Sequence, residues 1–317
     1  MKIKVTSLNK MLLTVLVGFL FVFSSAQSQS AVGAQIISAP GYLVELVAEG
    51  LQGPQSLTTI GSGMLAVGEA GAMPGRLTLV KRNGGKTVLA TVQQGVIGDV
   101  VFDPPRGFLT ANGSTPRRIL NVQRNGEVST FVITPGFPAA IALGLDGTLY
   151  VEELGPATST AVISAFDLAG QRQVLKEAIR ADGLAVDNNG DLIATFAFRE
   201  ITVTPPFPPL VNDLRRINVV TGEETIIAVV GGGRIGSLAL DREGNFYVTD
   251  WVDGKVRKVS SDGRSVEVIL EGLSTGSQDL QTGVSILRFH GITVDTAGRI
   301  YVTDSLQGKL YKITRQH

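Results

Sequence analysis

Short stretches of alternating apolar and polar residues, separated by turns that contain glycine, fill the chain from about residue 42 onward. The two clearest copies of the pattern are residues 236–250 and 290–304. Each copy has an apolar strand, a turn that ends in Gly, and a second strand that ends in Asp. Alternation with a period of two residues, bounded by turn residues, is typical of half-buried β-strands. The pattern therefore predicts a chain built from β-hairpins.

Four weaker copies bring the number of repeats to six. The turn glycines of the six copies are Gly63, Gly107, Gly147, Gly190, Gly244 and Gly298, at spacings of 44, 40, 43, 54 and 54 residues. A second, more polar pair of strands follows each copy, with turns such as Asn83-Gly84 and Asp262-Gly263. Asn-Gly and Asp-Gly between alternating stretches are strong hairpin signals. Four antiparallel strands at a period of ~40–50 residues indicate the blades of a β-propeller.

The last repeat has only three strands, at 292–294, 300–303 and 310–313, whereas a separate strand, Tyr42–Val47, precedes the first repeat. An open ring would leave an unpaired sheet edge, so we expect the N-terminal strand to complete the last blade. The predicted fold class is all-β: a six-bladed β-propeller of four-stranded antiparallel blades, spanning residues 41–317. A β-helix is the alternative architecture, although its coils are shorter than these repeats.

The N-terminal region has a different character. Lys2, Lys4 and Lys10 precede an apolar stretch from Met11 to Phe23, which is followed by small residues up to Ala26. This order is typical of a secretory signal peptide, and the stretch is short for a bilayer of about 30 Å. We therefore expect a signal peptide at 1–26, a flexible lead-in at 27–40, and a secreted or periplasmic protein. An uncleaved N-terminal anchor is the alternative.

Composition narrows the function classes. The 28 Lys and Arg balance 28 Asp and Glu, and loss of residues 1–26 would leave a net charge of −3. The chain thus lacks the basic excess of a nucleic-acid-binding protein. With no Cys it has no disulfide, thiol nucleophile or Cys-based metal site. We expect a monomer with no nucleic-acid partner and no stable membrane insertion after signal cleavage.

Propeller topology places the residue before each inner strand at one mouth of the central channel. Alignment on the turn glycines assigns these positions to Gln55, Gly98, Ala139, Asp182, Gly236 and His290. Two long segments, 199–215 and 271–288, are expected on the same face, which marks it as the predicted binding face. Trp251 follows Asp250 onto this face and is a candidate aromatic ligand contact, with loop packing as the alternative.

Carboxylates end the second strand of four repeats. They are Glu69, Glu153, Asp250 and Asp304. A carboxylate at the start of a loop readily accepts hydrogen bonds from loop N–H groups. We therefore expect them to cap N–H groups of the loop that follows the strand rather than to bind a ligand.

The repeated pattern Gly-(Ile/Leu)-x-Val-Asp-x-x-Gly-x-(Ile/Phe)-Tyr-Val-Thr-Asp resembles NHL-type repeats and the gluconolactonase/regucalcin-like and streptogramin-lyase-like six-bladed propellers. The resemblance covers about Tyr42 to the C-terminal end. Such propellers include lactonases, lyases, sensor domains and protein-binding modules, so it implies a fold and no single function. In the gluconolactonase-like enzymes a Glu, an Asn and an Asp hold a divalent metal at the mouth. Asp182-Gly183 matches their Asp-Gly, whereas Gln55 and Ala139 occupy the other two positions.

Two function hypotheses follow. The first is an exported, non-catalytic propeller that binds a protein, peptide, glycan or small molecule on the loop-rich face through Gln55, Asp182, Trp251 and His290. The second is a metal-dependent lactonase, esterase or lyase. In that case Asp182 would be a ligand of Ca²⁺ or Mg²⁺ and His290 would be the catalytic base.

Overall fold

The computed structural model describes residues 35–61, 63–71, 74–155, 161–177, 180–196, 212–275 and 290–316. These residues form six antiparallel sheets that contain twenty-five strands in total. No helix among them is long and apolar enough to cross a membrane. The predicted signal peptide lies outside the described residues, and it stays a prediction.

Two strands precede the repeats: β1 (Ile37–Ser38) and β2 (Tyr42–Ala48). The first blade contains β3 (Pro54–Ile60), β4 (Met64–Glu69), β5 (Gly75–Val80) and β6 (Lys86–Val92). The second contains β7 (Val100–Asp103), β8 (Gly107–Asn112), β9 (Arg118–Val122) and β10 (Val128–Ile133). The third contains β11 (Phe137–Leu143), β12 (Leu149–Leu154), β13 (Val162–Phe166) and β14 (Arg172–Glu177).

The fourth blade contains β15 (Gly183–Val186), β16 (Leu192–Phe196), β17 (Asp213–Ile217) and β18 (Glu224–Val229). The fifth contains β19 (Ile235–Leu240), β20 (Phe246–Asp250), β21 (Lys255–Val259) and β22 (Val266–Glu271). The sixth contains β23 (Ile292–Val294), β24 (Ile300–Asp304) and β25 (Lys309–Arg315). Because β17 already begins at Asp213, the long segment expected at 199–215 ends earlier than predicted.

The inner strands of the six blades form a closed ring. Each of β3, β7, β11, β15, β19 and β23 lies against the inner strand of the next blade, and β23 lies against β3. Each interface between neighbouring sheets is filled with buried apolar side chains, such as Leu109, Ile141 and Val151 between blades two and three. The predicted six-bladed β-propeller is therefore confirmed.

The N-terminal strand completes the last blade, as the missing fourth strand predicted. Strand β2 pairs antiparallel with β25, with Val44 opposite Ile313, and the sheet order is β2-β25-β24-β23. This clasp joins the two ends of the chain in one sheet, so the sixth blade has the same four strands as the others.

The short strand β1 is an addition that the sequence pattern did not predict. Ile37 and Ser38 lie in the expected lead-in at 27–40, yet they pair with Glu271 and Leu270 at the outer edge of blade five. That sheet therefore has five strands. Two residues of the expected lead-in thus form a strand, because the free edge of β22 provides main-chain partners.

Polar side chains connect neighbouring blades close to the channel. In each case a side chain of one blade bonds to a main-chain atom at the inner strand of the next blade, over 2.5–2.9 Å. The pairs are Ser56–Gly98, Asp99–Ile141, Glu152–Ala181, Thr195–Gly236 and Thr249–His290. Between the sixth and first blades, Gly291 allows a close backbone approach: a Cβ there would lie 2.7 Å from the Ser56 Cα. We call these side-chain bonds the inter-blade links.

A second repeated contact lies at the perimeter. The fourth strand of each blade has a bulged residue. In five blades the carbonyl of this residue lies close to a hairpin glycine of the next blade, within 4 Å of the position that a Cβ on that glycine would occupy. The pairs are Val47–Gly84, Leu89–Gly126, Phe131–Gly170, Leu175–Gly222 and Ile227–Gly263. The hairpin between strands three and four of each of the first five blades thereby packs on the preceding blade.

Removal of the clasp is expected to open the ring. A chain that begins at residue 49 lacks β2 and exposes the edge of β25, so it should aggregate or melt far below the intact protein. Size-exclusion chromatography and thermal unfolding measure this. A chain that begins at residue 35 retains both N-terminal strands and is the control. A monomeric chain from residue 49 with an unchanged melting temperature would contradict the closure.

The perimeter contact predicts unequal costs for two glycine substitutions. Gly190 and Gly263 both have positive φ, +86° and +73°. A Cβ on Gly190 meets nothing within 4 Å, whereas one on Gly263 would lie 2.1 Å from the Ile227 carbonyl oxygen. Gly190→Ala should cost only the strained backbone, about 1–2 kcal/mol. Gly263→Ala should cost a further ~1–3 kcal/mol of overpacking. Urea unfolding measures both, and equal losses would contradict the perimeter contact.

Candidate functional site

The predicted mouth residues lie where the inner strands begin. Gln55 is the second residue of β3 and is half-buried. Asp182 immediately precedes β15, and His290 precedes β23 by one residue, Gly291. Only residues 271–275 of the long segment at 271–288, and 212–215 of that at 199–215, are among the described residues. The site is therefore argued from the inner strands and the short loops beside them.

Asp182 makes a buried ion pair across the interface between blades four and five. Its Oδ1 accepts a hydrogen bond from Nη2 of Arg234 at 3.2 Å, and its Oδ2 lies 3.5 Å from Nε. Both side chains are almost fully buried. The fork of a guanidinium suits a carboxylate in this two-point geometry, so the carboxylate predicted as a metal ligand is held by a cation of the protein itself.

Glu152 lies beside this pair and comes from the third blade. Its carboxylate is buried in β12, and Oε1 accepts a hydrogen bond from the Ala181 N–H at 2.7 Å. Burial raises the pKa of Glu152 well above its usual range, and the nearby charge of Asp182 raises it further. The hydrogen bond from Ala181 and the charges of Arg180 and Arg234 lower this pKa by less. Blades three, four and five thus bring two carboxyl groups and a guanidinium together.

Trp251 supports this cluster from within the protein. Its side chain is only 3% exposed, and the Arg234 guanidinium carbon lies 5.0 Å from the ring centroid. The main-chain N–H of Trp251 also donates to the Arg234 carbonyl at 3.1 Å. The ring packs on the cation of the neighbouring loop. The alternative of loop packing describes what is found.

His290 is 1% exposed and bonds to the main chain through both ring nitrogens. Nε2 lies 2.9 Å from the Ser274 carbonyl oxygen, and Nδ1 accepts from the Ser305 N–H at 3.3 Å. These partners specify a neutral ring protonated on Nε2. Burial lowers the pKa of His290, against the opposite effect of the Asp304 charge. A ring engaged in this way is a structural element of the sixth blade.

Asp250 and Asp304 cap the loop that follows them, as expected: Asp250 accepts from the Val252 and Asp253 N–H groups, and Asp304 from those of Leu306 and Gln307. All four carboxylates also accept an N–H bond from the preceding loop, which leads into their own blade and was not predicted; the pairs are Glu69–Gln52, Glu153–Gly136, Asp250–Gly233 and Asp304–Ser274. Asp250 also accepts from the Arg234 N–H at 3.0 Å. This cap therefore fixes the backbone from which the Arg234 side chain reaches Asp182.

Sequence reasoning missed Glu152 and Arg234. Glu152 directly precedes the capping residue Glu153, and successive strand residues point to opposite faces of a sheet. Two adjacent carboxylates at a strand end therefore indicate that one points away from the capped loop. Arg234 gave no comparable signal, because its partner is 52 positions away in the chain.

The metal implied by the resemblance does not fit the described residues. Among them, no group of three or more His, Asp or Glu side chains could hold a metal ion. The one matching carboxylate, Asp182, is paired with Arg234. Gln55 offers a neutral amide oxygen where the resemblance implies a carboxylate, and the methyl group of Ala139 offers no oxygen ligand.

Glu152 is expected to make stability depend on pH. Its pKa is raised in the folded protein, so its full contribution to stability is present below the pKa of the unfolded chain and is lost as pH rises through the folded value. Glu152→Gln keeps an acceptor for Ala181 and removes the cost of a buried charge. It should raise the melting temperature by a few degrees at pH 8 and leave it unchanged at pH 4. Glu153→Gln, which loses the ion pair with Arg172, is the adjacent control and should not stabilise at either pH.

Comparisons with known proteins support the fold. No protein-family model matches the sequence, and a search of curated proteins finds no match. A solved structure assigned as a gluconolactonase is similar, with a TM-score of 0.62, 14% identity, and 88% of this chain and 93% of that chain covered. Virginiamycin B lyase from Staphylococcus aureus has a TM-score of 0.56 and 14% identity, with 86% and 99% covered. A chain of the nidogen/laminin complex has a TM-score of 0.54 and 13% identity, with 70% and 86% covered. The predicted resemblance to gluconolactonase-like and lyase-like six-bladed propellers is therefore confirmed at the level of fold, and identities this low establish no activity.

Proposed function

We propose that this chain is an exported, non-catalytic propeller that binds a protein or peptide on the face where the strand-two to strand-three loops emerge. The observation that carries this proposal is the engagement of the mouth side chains by the protein itself. A general base needs a free lone pair within reach of a substrate, yet both nitrogens of His290 bond to the main chain. The Asp182 carboxylate is likewise paired with Arg234. These groups build a rigid mouth rather than a reacting centre.

The accessible surface beside this mouth suits a protein partner. Val252 follows the buried Trp251 directly and is 41% exposed. The next residue, Asp253, is partly exposed and bonds to Arg257, which also binds Asp250. An apolar side chain beside a rigidly held polar rim is typical of protein recognition. The sole Trp of the chain, the ring best suited to stacking on a sugar, is buried, which favours a protein or peptide over a glycan.

The chain offers a matched pair of substitutions for this proposal. Val252→Asp alters the proposed binding face, whereas Leu145→Asp alters a turn between strands one and two, on the opposite face by propeller topology. Leu145 is 80% exposed, so neither change should disturb the core. Peptides selected by display against the purified protein should lose roughly 1–2 kcal/mol of affinity with Val252→Asp and bind Leu145→Asp normally. Equal binding to both variants would contradict the proposed face.

A metal-dependent lactonase or lyase is the second candidate, favoured by the fold comparison and by Asp182-Gly183. Thermal unfolding with Ca²⁺, Mg²⁺ or Zn²⁺, followed by hydrolysis assays on a panel of lactones, separates the two. Under our proposal none of these ions shifts the melting temperature and no lactone is turned over. Metal-dependent turnover that Asp182→Asn abolishes would overturn it.

A further inference from the structure

The outer hairpin of the sixth blade is divided between the two ends of the chain. In the other blades a hairpin turn joins strands three and four, but here strand three is β25 and strand four is β2. The gap is closed by a hydrogen bond from the Gln316 N–H to the Gly41 carbonyl at 2.8 Å. The residues just before β2 therefore stand where the missing turn would lie.

These residues also replace the perimeter contact of that turn. The bulged residue of blade five is Ile269, which lies between the paired residues Leu270 and Val268 of β22. Its carbonyl accepts a hydrogen bond from the Ala39 N–H at 3.1 Å. In the five other blades the bulged carbonyl meets a hairpin glycine of the next blade. The N-terminal segment thus completes the perimeter contact at the one interface that has no hairpin to supply it.

Further contacts hold the same segment on blade five. Ile37 and Ser38 pair with β22, and Ile36 packs against the apolar core that blades five and six share. Gly272 makes room for the segment, because a Cβ there would lie 2.3 Å from the Gln35 carbonyl oxygen. Residues 35–39 are thus fitted to blade five, and Gly41 accepts the bond from Gln316 of blade six.

We propose that residues 35–41 are a closing strap, separate from the clasp strand β2, and that detachment of the strap is the first step by which the ring opens. Two residue pairs and the Ala39 bond hold the strap, whereas six residues of β2 pair with β25. Segments with few ladder bonds and exposed side chains open at the lowest free energy, and Ile37 in the strap is exposed. Because the strap leads directly into β2, it must detach before β2 can separate from β25 beginning at Tyr42.

Two engineered disulfides test this order in the full chain, which has no Cys of its own. Ile37 and Glu271 face each other across strap and β22, and Leu43 and Thr314 face each other across the clasp. Cross-strand partners are close enough for a disulfide. I37C/E271C locks the strap, and L43C/T314C locks the clasp. The two bonds close loops of similar length, so their effects on the unfolded chain are matched.

Native-state hydrogen exchange reports the order of opening. If the strap opens first, locking it should slow exchange in residues 42–48 by roughly tenfold or more relative to the reduced form. Locking the clasp should leave exchange in residues 35–41 unchanged. The opposite asymmetry, or no effect of the strap disulfide on residues 42–48, would overturn the proposal.

A single substitution gives an independent test. Ala39→Pro removes the N–H that bonds to Ile269, whereas Ala39→Ser keeps it. Ala39→Pro should accelerate exchange in residues 42–48 by about tenfold, and Ala39→Ser should not. Equal exchange in the two variants would show that the Ala39 bond does not control opening.

Discussion

The closed ring is the constraint on which the rest of this structure depends. Each four-stranded sheet covers its neighbour with apolar side chains, so a blade without a neighbour would expose one face of its core. Six blades satisfy this condition only when the last packs on the first, and here the last blade is built from both ends of the chain. Inter-blade links close to the channel hold five interfaces, and the close approach at Gly291 takes their place between blades six and one. Glycine contacts at the perimeter also hold five interfaces, and the Ala39–Ile269 bond takes their place between blades five and six. The packing of every blade therefore depends on the contact between the sixth blade and the first.

The candidate site lies among the inter-blade links that hold the ring together. The inter-blade links are hydroxyls at three interfaces, from Ser56, Thr195 and Thr249, but carboxyl groups at the two that flank blade three. A hydroxyl is neutral at any ordinary pH, whereas a buried carboxyl resists ionisation. Burial raises the pKa of Asp99 to about 6, and that of Glu152 well above its usual range. The third blade is thus joined to both neighbours through groups whose charge depends on pH. One of them, Glu152, lies beside the Asp182–Arg234 pair.

The sequence predicted more of the fold than of the candidate site. The repeats are local, and the hairpin glycines and alternating strands could be identified within windows of about 15 residues. The capping of the following loop by Asp250 and Asp304 could also be predicted, because a carboxylate and the loop after it are adjacent in the chain. The bonds from all four carboxylates to the preceding loop were not predicted. Arg234 could not be paired with Asp182, since they belong to different repeats. The burial of Trp251 had no sequence signal either, because it depends on the position of the Arg234 side chain.

The sequence by itself determined the number of blades, their strands and the use of an N-terminal strand to close the ring. These properties follow from alternation and turn chemistry, which act over a few residues and repeat. Only the tertiary structure decided which mouth residues remain available. It buried His290 between two main-chain partners, paired Asp182 with Arg234, and placed β1 on the edge of blade five. Asp182 and Arg234, like β1 and β22, are far apart in the chain and meet only when the blades pack. The partners of His290 reach its ring only when two loops of the sixth blade come together, so no short pattern encodes any of these outcomes.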